Sequence, residues 1–117
     1  IVKAEAHYKQ LTSVEEGLEN MLRLDVSEKL NSFHREKDNL NNYVKRRKIA
    51  RQWLKEAKEE YEFDPDTLRD LIKALEKWAE IEREYFEQIY QYNLSVAALE
   101  KSLSDTIISS ENQDSLH

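Results

Sequence analysis

The chain has no cysteine, a single glycine and a single proline. Without cysteine there is no disulfide framework and no thiol chemistry, although this leaves every compartment open. So few turn residues exclude a β-rich fold, which needs a turn after nearly every strand. Long apolar runs are missing as well. The longest stretch without charge, around YQYNLSVAAL, falls far short of the ~20 apolar residues a spanning helix needs. No helix of this chain is therefore expected to cross a bilayer. The first residue is Ile1 and no apolar leader follows it, so the chain reads as a processed product or an excised piece of something longer.

What is present is charge. Asp, Glu, Lys and Arg make up 36% of the 117 residues, against 39% for the hydrophobic class. The mean hydropathy is −0.86. That balance suits long amphipathic helices with solvated outer faces and apolar stripes that meet partners. The formal net charge of −6 argues against general affinity for nucleic acid or an anionic membrane.

The second half carries the clearest pattern. Leu68, Leu75, Glu82, Ile89, Val96 and Leu103 recur every seven residues, interleaved with Leu71, Trp78, Tyr85, Tyr92 and Leu99. Two such series over about five heptads describe a coiled-coil seam. A third series, Ile72, Ala79 and Phe86, widens the stripe and predicts that this helix touches more than one neighbour.

The first half is less regular. Its apolar face runs through Leu11, Leu18, Leu22, Val26, Leu30, Phe33, Leu40, Val44, Ala50, Leu54, Ala57 and Tyr61. Steps of four from Leu18 to Leu30 act as a stutter in the heptad. Gly17 weakens the helix where it sits. SVEE at Ser13 to Glu16 reads either as a capping box opening a new helix or as a weak point within one, and the second reading is preferred.

Between the halves lies EFDPDT. Asp64 fits an N-cap, Pro65 a first helical position, and Asp66 adds charge that a helix N-terminus favours. A residue before proline resists the helical region, so the first helix should stop by Phe63. A short turn then makes the two helices antiparallel neighbours. The expected architecture is all-α, a long antiparallel two-helix hairpin forming part of a helical barrel or bundle. The first helix occupies residues 1–62, with a possible break near 13–17. The turn is 63–66, the second helix 67–104, and 105–117 a disordered tail. The first helix would span on the order of 85 Å.

Folding back at about residue 64 places position i beside roughly 128 minus i. Arg47 and Glu82, both on the seam and opposite in sign, then face each other as a register-setting pair. The basic run KRRKIAR (Lys45 to Arg51) offers a phosphate or headgroup patch. The plainer expectation sets Lys45, Lys48 and Arg51 level with Glu84, Glu80 and Glu76 or Lys77.

No catalytic, cofactor or metal constellation is visible. His7, His34 and His117 are widely separated, and there is no H-E-x-x-H, glycine-rich phosphate loop or nucleophile elbow. The glutamates read as solvated helix faces, and no enzyme is expected.

The aromatic cluster is less ordinary. Tyr85, Phe86 and Tyr92 fit a packed stripe, whereas Tyr90 falls off it and Asn93 is polar on the third series. Here EYFEQIYQYNLSVAALEKSLS resembles the last long helix of the TolC-like outer-membrane efflux proteins, with their E-Y-x-x-x-[IL]-Y-[DQ]-Y-N pattern followed by L-E. IARQWLKEAKEEYEFDPDTLRDLIKAL looks like the family segment just before it, and LENMLRLDVSEKL is similar to an upstream helix start. The resemblance covers roughly residues 10 to 104.

The resemblance implies a trimer whose hairpins form a helical tunnel across the periplasm, continuous with an outer-membrane β-barrel. The turn becomes a periplasmic tip docking on an adaptor protein, with Tyr61, Phe63, Asp64 and Asp66 at the tip. Asp70 would belong to the channel entrance, where Lys73 replaces a second acid of the family. The chain departs from the family pattern at the turn itself, where Phe63-Asp64-Pro65 stands in place of a glycine motif. The competing expectation is a free-standing antiparallel coiled coil, cytoplasmic, that self-associates and scaffolds partners.

Overall fold

The turn begins with the one residue that cannot continue a helix. The computed structural model describes residues 2–115. Helix α1 spans Val2–Phe63, helix α2 spans Leu68–Ser115, and a single 3₁₀ turn, Pro65–Thr67, joins them. The fold is all-α, with two long helices packed antiparallel as a hairpin.

Asp64 donates its amide to the Glu60 carbonyl at 2.9 Å, the last helical bond of α1. Pro65 then forces Asp64 out of the helical region, to φ −137° and ψ 102°. From there the Asp64 carboxylate accepts the Asp66 amide at 3.0 Å, and its carbonyl accepts both the amide and the hydroxyl of Thr67. Such a cap is worth about 0.5–2 kcal/mol. No described residue has a positive φ. The turn is therefore built from proline and aspartate geometry and needs no glycine.

At the ends, SVEE lies within a helix as preferred, and the expectation of a disordered tail is corrected. α1 runs unbroken through Ser13–Gly17, where Thr12 Oγ1 bonds back to the Tyr8 carbonyl, so SVEE is mid-helix. The supposed tail is helical from Asp105 to Ser115, its start held by the Thr106 hydroxyl donating to the Ser102 carbonyl. Serine and threonine there look tail-like on polarity, yet Ser102 is buried and Thr106 half-buried against the other helix. Packing overrides propensity at that end. Ile1, Leu116 and His117 lie outside the described residues.

The chain divides into two compact units. One comprises His34–Leu94, the other Ile1–Phe33 with Ser95–His117. In the His34–Leu94 unit the inward residues of α2 are Ala74 and Ile81, both buried, with Leu71, Trp78, Glu82, Tyr85, Gln88 and Ile89 half-buried. Ala74 is the most enclosed, at 1% exposure. Those of α1 are the buried Ala50 and Ala57, with Glu36, Leu40, Tyr43, Arg47, Leu54 and Tyr61 half-buried. In the other unit α2 turns Ser95, Leu99 and Ser102 inward. α1 there turns in Leu22, Val26, Lys29 and Phe33.

The α2 seam is thus wider than expected on one side and only partly filled on the other. The Leu71–Leu99 series is retained, and Glu82, Ile89 and Val96 of its expected companion are half-buried. A further series of Ala74, Ile81, Gln88, Ser95 and Ser102, also spaced by seven, is more enclosed. Leu68, Leu75 and Leu103, expected inside, are exposed. The further series widens the enclosed face by about 60° around the helix. The physical reason is size. Alanine and serine let two backbones approach more closely than leucine permits, and the larger residues move to the flank. On α1, Leu11, Leu18 and Leu30 are likewise exposed, whereas Tyr43 and Arg47 belong to the seam.

Ala74→Leu is expected to cost about 1–3 kcal/mol by overpacking the seam. Leu75→Ala, one residue on, should cost about 1 kcal/mol or less because Leu75 lies half outside. Thermal melts that reverse this order would move the seam back. Gly17 has a helical φ and open space where a Cβ would stand. Gly17→Ala should therefore raise helix stability by up to about 1 kcal/mol, read from the same melts.

Candidate interaction site

Within the His34–Leu94 unit, three surfaces collect the residues singled out by sequence. The first is the polar rung inside the seam. Arg47 Nε donates to Glu82 Oε1 at 2.5 Å, and the guanidinium also lies over the Tyr85 ring, 4.5 Å from its centroid. Tyr85 in turn meets Phe86 edge-on. The side chains are partly enclosed, Glu82 more than Arg47. The hydrogen bond to Glu82 holds the Arg47 guanidinium above its already high ordinary value, with burial opposing it in part. A raised basic group gives stability that persists below its unfolded value and fades only in strong alkali. Arg47 therefore stays a cation at ordinary pH, and salt is the better probe of this contact.

A second polar rung escaped the sequence reading. Gln88 Nε2 donates both to the Glu36 carboxylate at 2.6 Å and to the Glu36 carbonyl at 3.2 Å. In the other unit, the Ser102 hydroxyl donates to Asp25 Oδ2. The signal was the seven-residue spacing of Gln88, Ser95 and Ser102, hidden by their polarity. Arg47–Glu82 and Asp25–Ser102 each fall within about one residue of the level set by folding back at the turn.

The tip is the second surface. Phe63 is 94% exposed, an aromatic ring with almost no protein around it. Asp64 and Asp66 are exposed beside it, and Tyr61 is half-buried at the end of the seam. Asp70 and Lys73 are exposed on α2 and line a shallow cleft of about 210 Å³ with Trp53, Glu56, Ala57 and Glu60.

The flanks form the third. On α2, Leu68, Ile72, Leu75 and Phe86 make an apolar column beside the seam, with Phe86 60% exposed. On α1, Ile49 and Trp53 stand 70% and 48% exposed next to the basic run. The expected pairing of that run with α2 is not made. Among the described residues Lys45, Lys48 and Arg51 form no ion pair, and Arg46 lies over the Tyr43 ring instead, 5.3 Å from its centroid. Folding back brings the levels together, but the cations point outward from α1.

Among the described residues no three His, Cys, Asp or Glu side chains converge as for a metal ion. His34 is exposed, and the side chain of His7 and all of His117 lie outside the described residues. Among the described residues no helix is long and apolar enough to cross a membrane.

A double-mutant cycle tests whether the Arg47–Glu82 rung sets the register. Arg47→Leu alone should lower the melting temperature by leaving Glu82 unpaired, and Glu82→Leu should do the same. The double variant should melt closer to the parent than either single one. Additive losses would mean the rung contributes no coupling. Comparison with known proteins adds no relative: no family model, no curated protein and no solved structure matches this chain.

Proposed function

We propose that this hairpin is a wall element of a larger α-helical assembly, specifically the helical-tunnel segment of a trimeric outer-membrane efflux or secretion channel of the TolC-like type. The observation that carries this reading is the exposed apolar column of Leu68, Ile72, Leu75 and Phe86 beside a seam that is already occupied. A hairpin sufficient in itself has no use for a second apolar stripe. A helix in a barrel wall needs one, because it has neighbours on both sides.

In this reading the chain sits in the periplasm, in a parent protein anchored in the outer membrane. It performs no catalysis and holds no cofactor. The turn is the tip, where Tyr61, Phe63, Asp64 and Asp66 meet a periplasmic adaptor, and Asp70 and Lys73 lie near the channel entrance. The exposed Phe63 ring supports an apolar contact at that end. Transport is then passive conduction, with selectivity and energy supplied elsewhere.

A second reading, a free-standing coiled coil that self-associates as a scaffold, is favoured by one feature. The tip turn is closed by Asp64 and Pro65 with no glycine, so the close backbone approach of the family's tip is missing. The lack of cysteine makes the two readings separable by single-cysteine cross-linking in cells. In the tunnel reading, Phe86→Cys should join to helices of a channel subunit and Phe63→Cys to an adaptor. Cross-links only between copies of this chain, at Phe86 and not at Phe63, would favour the scaffold. A purified parent that sediments as a folded monomer would sink both.

A further inference from the structure

On the α1 side of the His34–Leu94 unit lies a groove of about 350 Å³, lined chiefly by Arg46, Ile49, Trp53, Lys77, Ile81 and Glu84. Its floor is the buried Ile81, and its outer lip is formed by the exposed Ile49 and Trp53. Lys48, Gln52 and Glu56 continue that lip as a shallower face. Lys45 and Lys48 beside it make no ion pair among the described residues, whereas Lys77 is already engaged by Glu80 at 3.7 Å. The α1 lip of this slot thus carries Arg46 and Lys48 without ion pairs among the described residues, with Lys45 one helical turn before Ile49. Glu84 and Glu56 lie in the lining, in a chain whose net charge is −6.

We propose that this groove docks an acidic amphipathic helix of a partner protein. Three observations select that occupant. Ile49 and Trp53 are one helical turn apart, so they offer the ridge spacing that another helix fits with apolar residues at i and i+4. The cations Lys45, Arg46 and Lys48 border that ridge and complement glutamates flanking the partner's apolar stripe. The groove also contains Glu84 and, at its edge, Glu56. A lining of mixed sign suits a polypeptide better than a phosphate polymer. The overall negative charge repels extended polyanions, such as nucleic acid or an anionic bilayer, while a local patch still acts within a Debye length of about 8 Å. The inference rests on the groove alone and holds under either reading of function.

The probe is a stapled helical peptide with leucines on one face flanked by glutamates, labelled for fluorescence anisotropy, alongside a counterpart with lysines for the glutamates. The acidic peptide should bind saturably, more weakly as salt rises, and shift tryptophan emission to the blue through Trp53. The charge reversal K45E/R46E/K48E should weaken binding at least about tenfold. So should I49S/W53S, with the helical circular dichroism signal retained in both. Should the reversal perturb folding, the neutral variant K45Q/R46Q/K48Q tests the same point. Equal binding of both peptides, or full binding by the charge variants, would overturn the proposal. So would no peptide binding in a protein that instead binds phosphatidylglycerol vesicles or a single-stranded oligonucleotide.

Discussion

In the His34–Leu94 unit Ala50 and Ala57 on α1 are buried along with Ala74 and Ile81 on α2, and in the other unit Ser95 and Ser102 are the buried residues of α2. Small side chains at these places let the two backbones come close, and closeness decides where everything larger must go. Leu68, Leu75 and Leu103 stand exposed on the α2 flank, whereas Glu82, Ile89 and Val96 at the equivalent positions are half-buried. Trp53 and Ile49 are similarly displaced to the α1 flank. An exposed large apolar residue in this protein is therefore a consequence of the seam, and the surfaces available to partners are fixed by the same geometry.

Small residues specify register poorly, because one alanine fits against a helix much like another. The polar rungs supply what they lack. In the His34–Leu94 unit a slip of one heptad would set Arg47 against Leu75 or Ile89, leaving a charge against an apolar neighbour. Glu36 would lose Gln88 in the same slip. The penalty for a buried charge without its partner exceeds what the pair itself contributes, so such rungs act mainly against wrong alignments. Asp25 and Ser102 do the equivalent in the other unit with a hydroxyl instead of a cation.

How much of this could be read from the sequence depends on the range of the interaction responsible. Asp64 and Pro65 act on their own backbone, so the turn was legible from six residues. The Arg47–Glu82 contact was legible because counting outward from that turn needs no knowledge of packing. The seam column was not legible. A hydrophobicity pattern ranks Leu75 above Ala74, whereas the contact selects for size, and size matters only once two helices are side by side. Polar seam residues failed for the same reason: Lys29, Glu36, Gln88 and Ser102 look like surface until a partner is placed opposite. The basic run failed through direction. Level is set by the turn, but Lys45 and Lys48 leave α1 on the side away from α2.

The two flanks are unlike each other, and this bears on what surrounds the hairpin. On α2, Leu68, Ile72 and Leu75 stand together and Phe86 stands about three turns further on beside Arg83 and Glu87, whereas Ile49 and Trp53 are edged by the cations of the basic run. A two-fold pairing uses one patch against itself and so covers only one of them. Covering both calls for two different neighbours, as in a wall where each element sees dissimilar sides. The seam gives a further reason for neighbours. Alanine buries little area, and the few buried apolar residues of the described chain include only one large one, Ile81. At roughly 25 cal/mol per Å² such a seam contributes modestly. Two helices with so thin a core gain the rest of their stability from whatever covers the flanks, by the ordinary linkage between binding and folding.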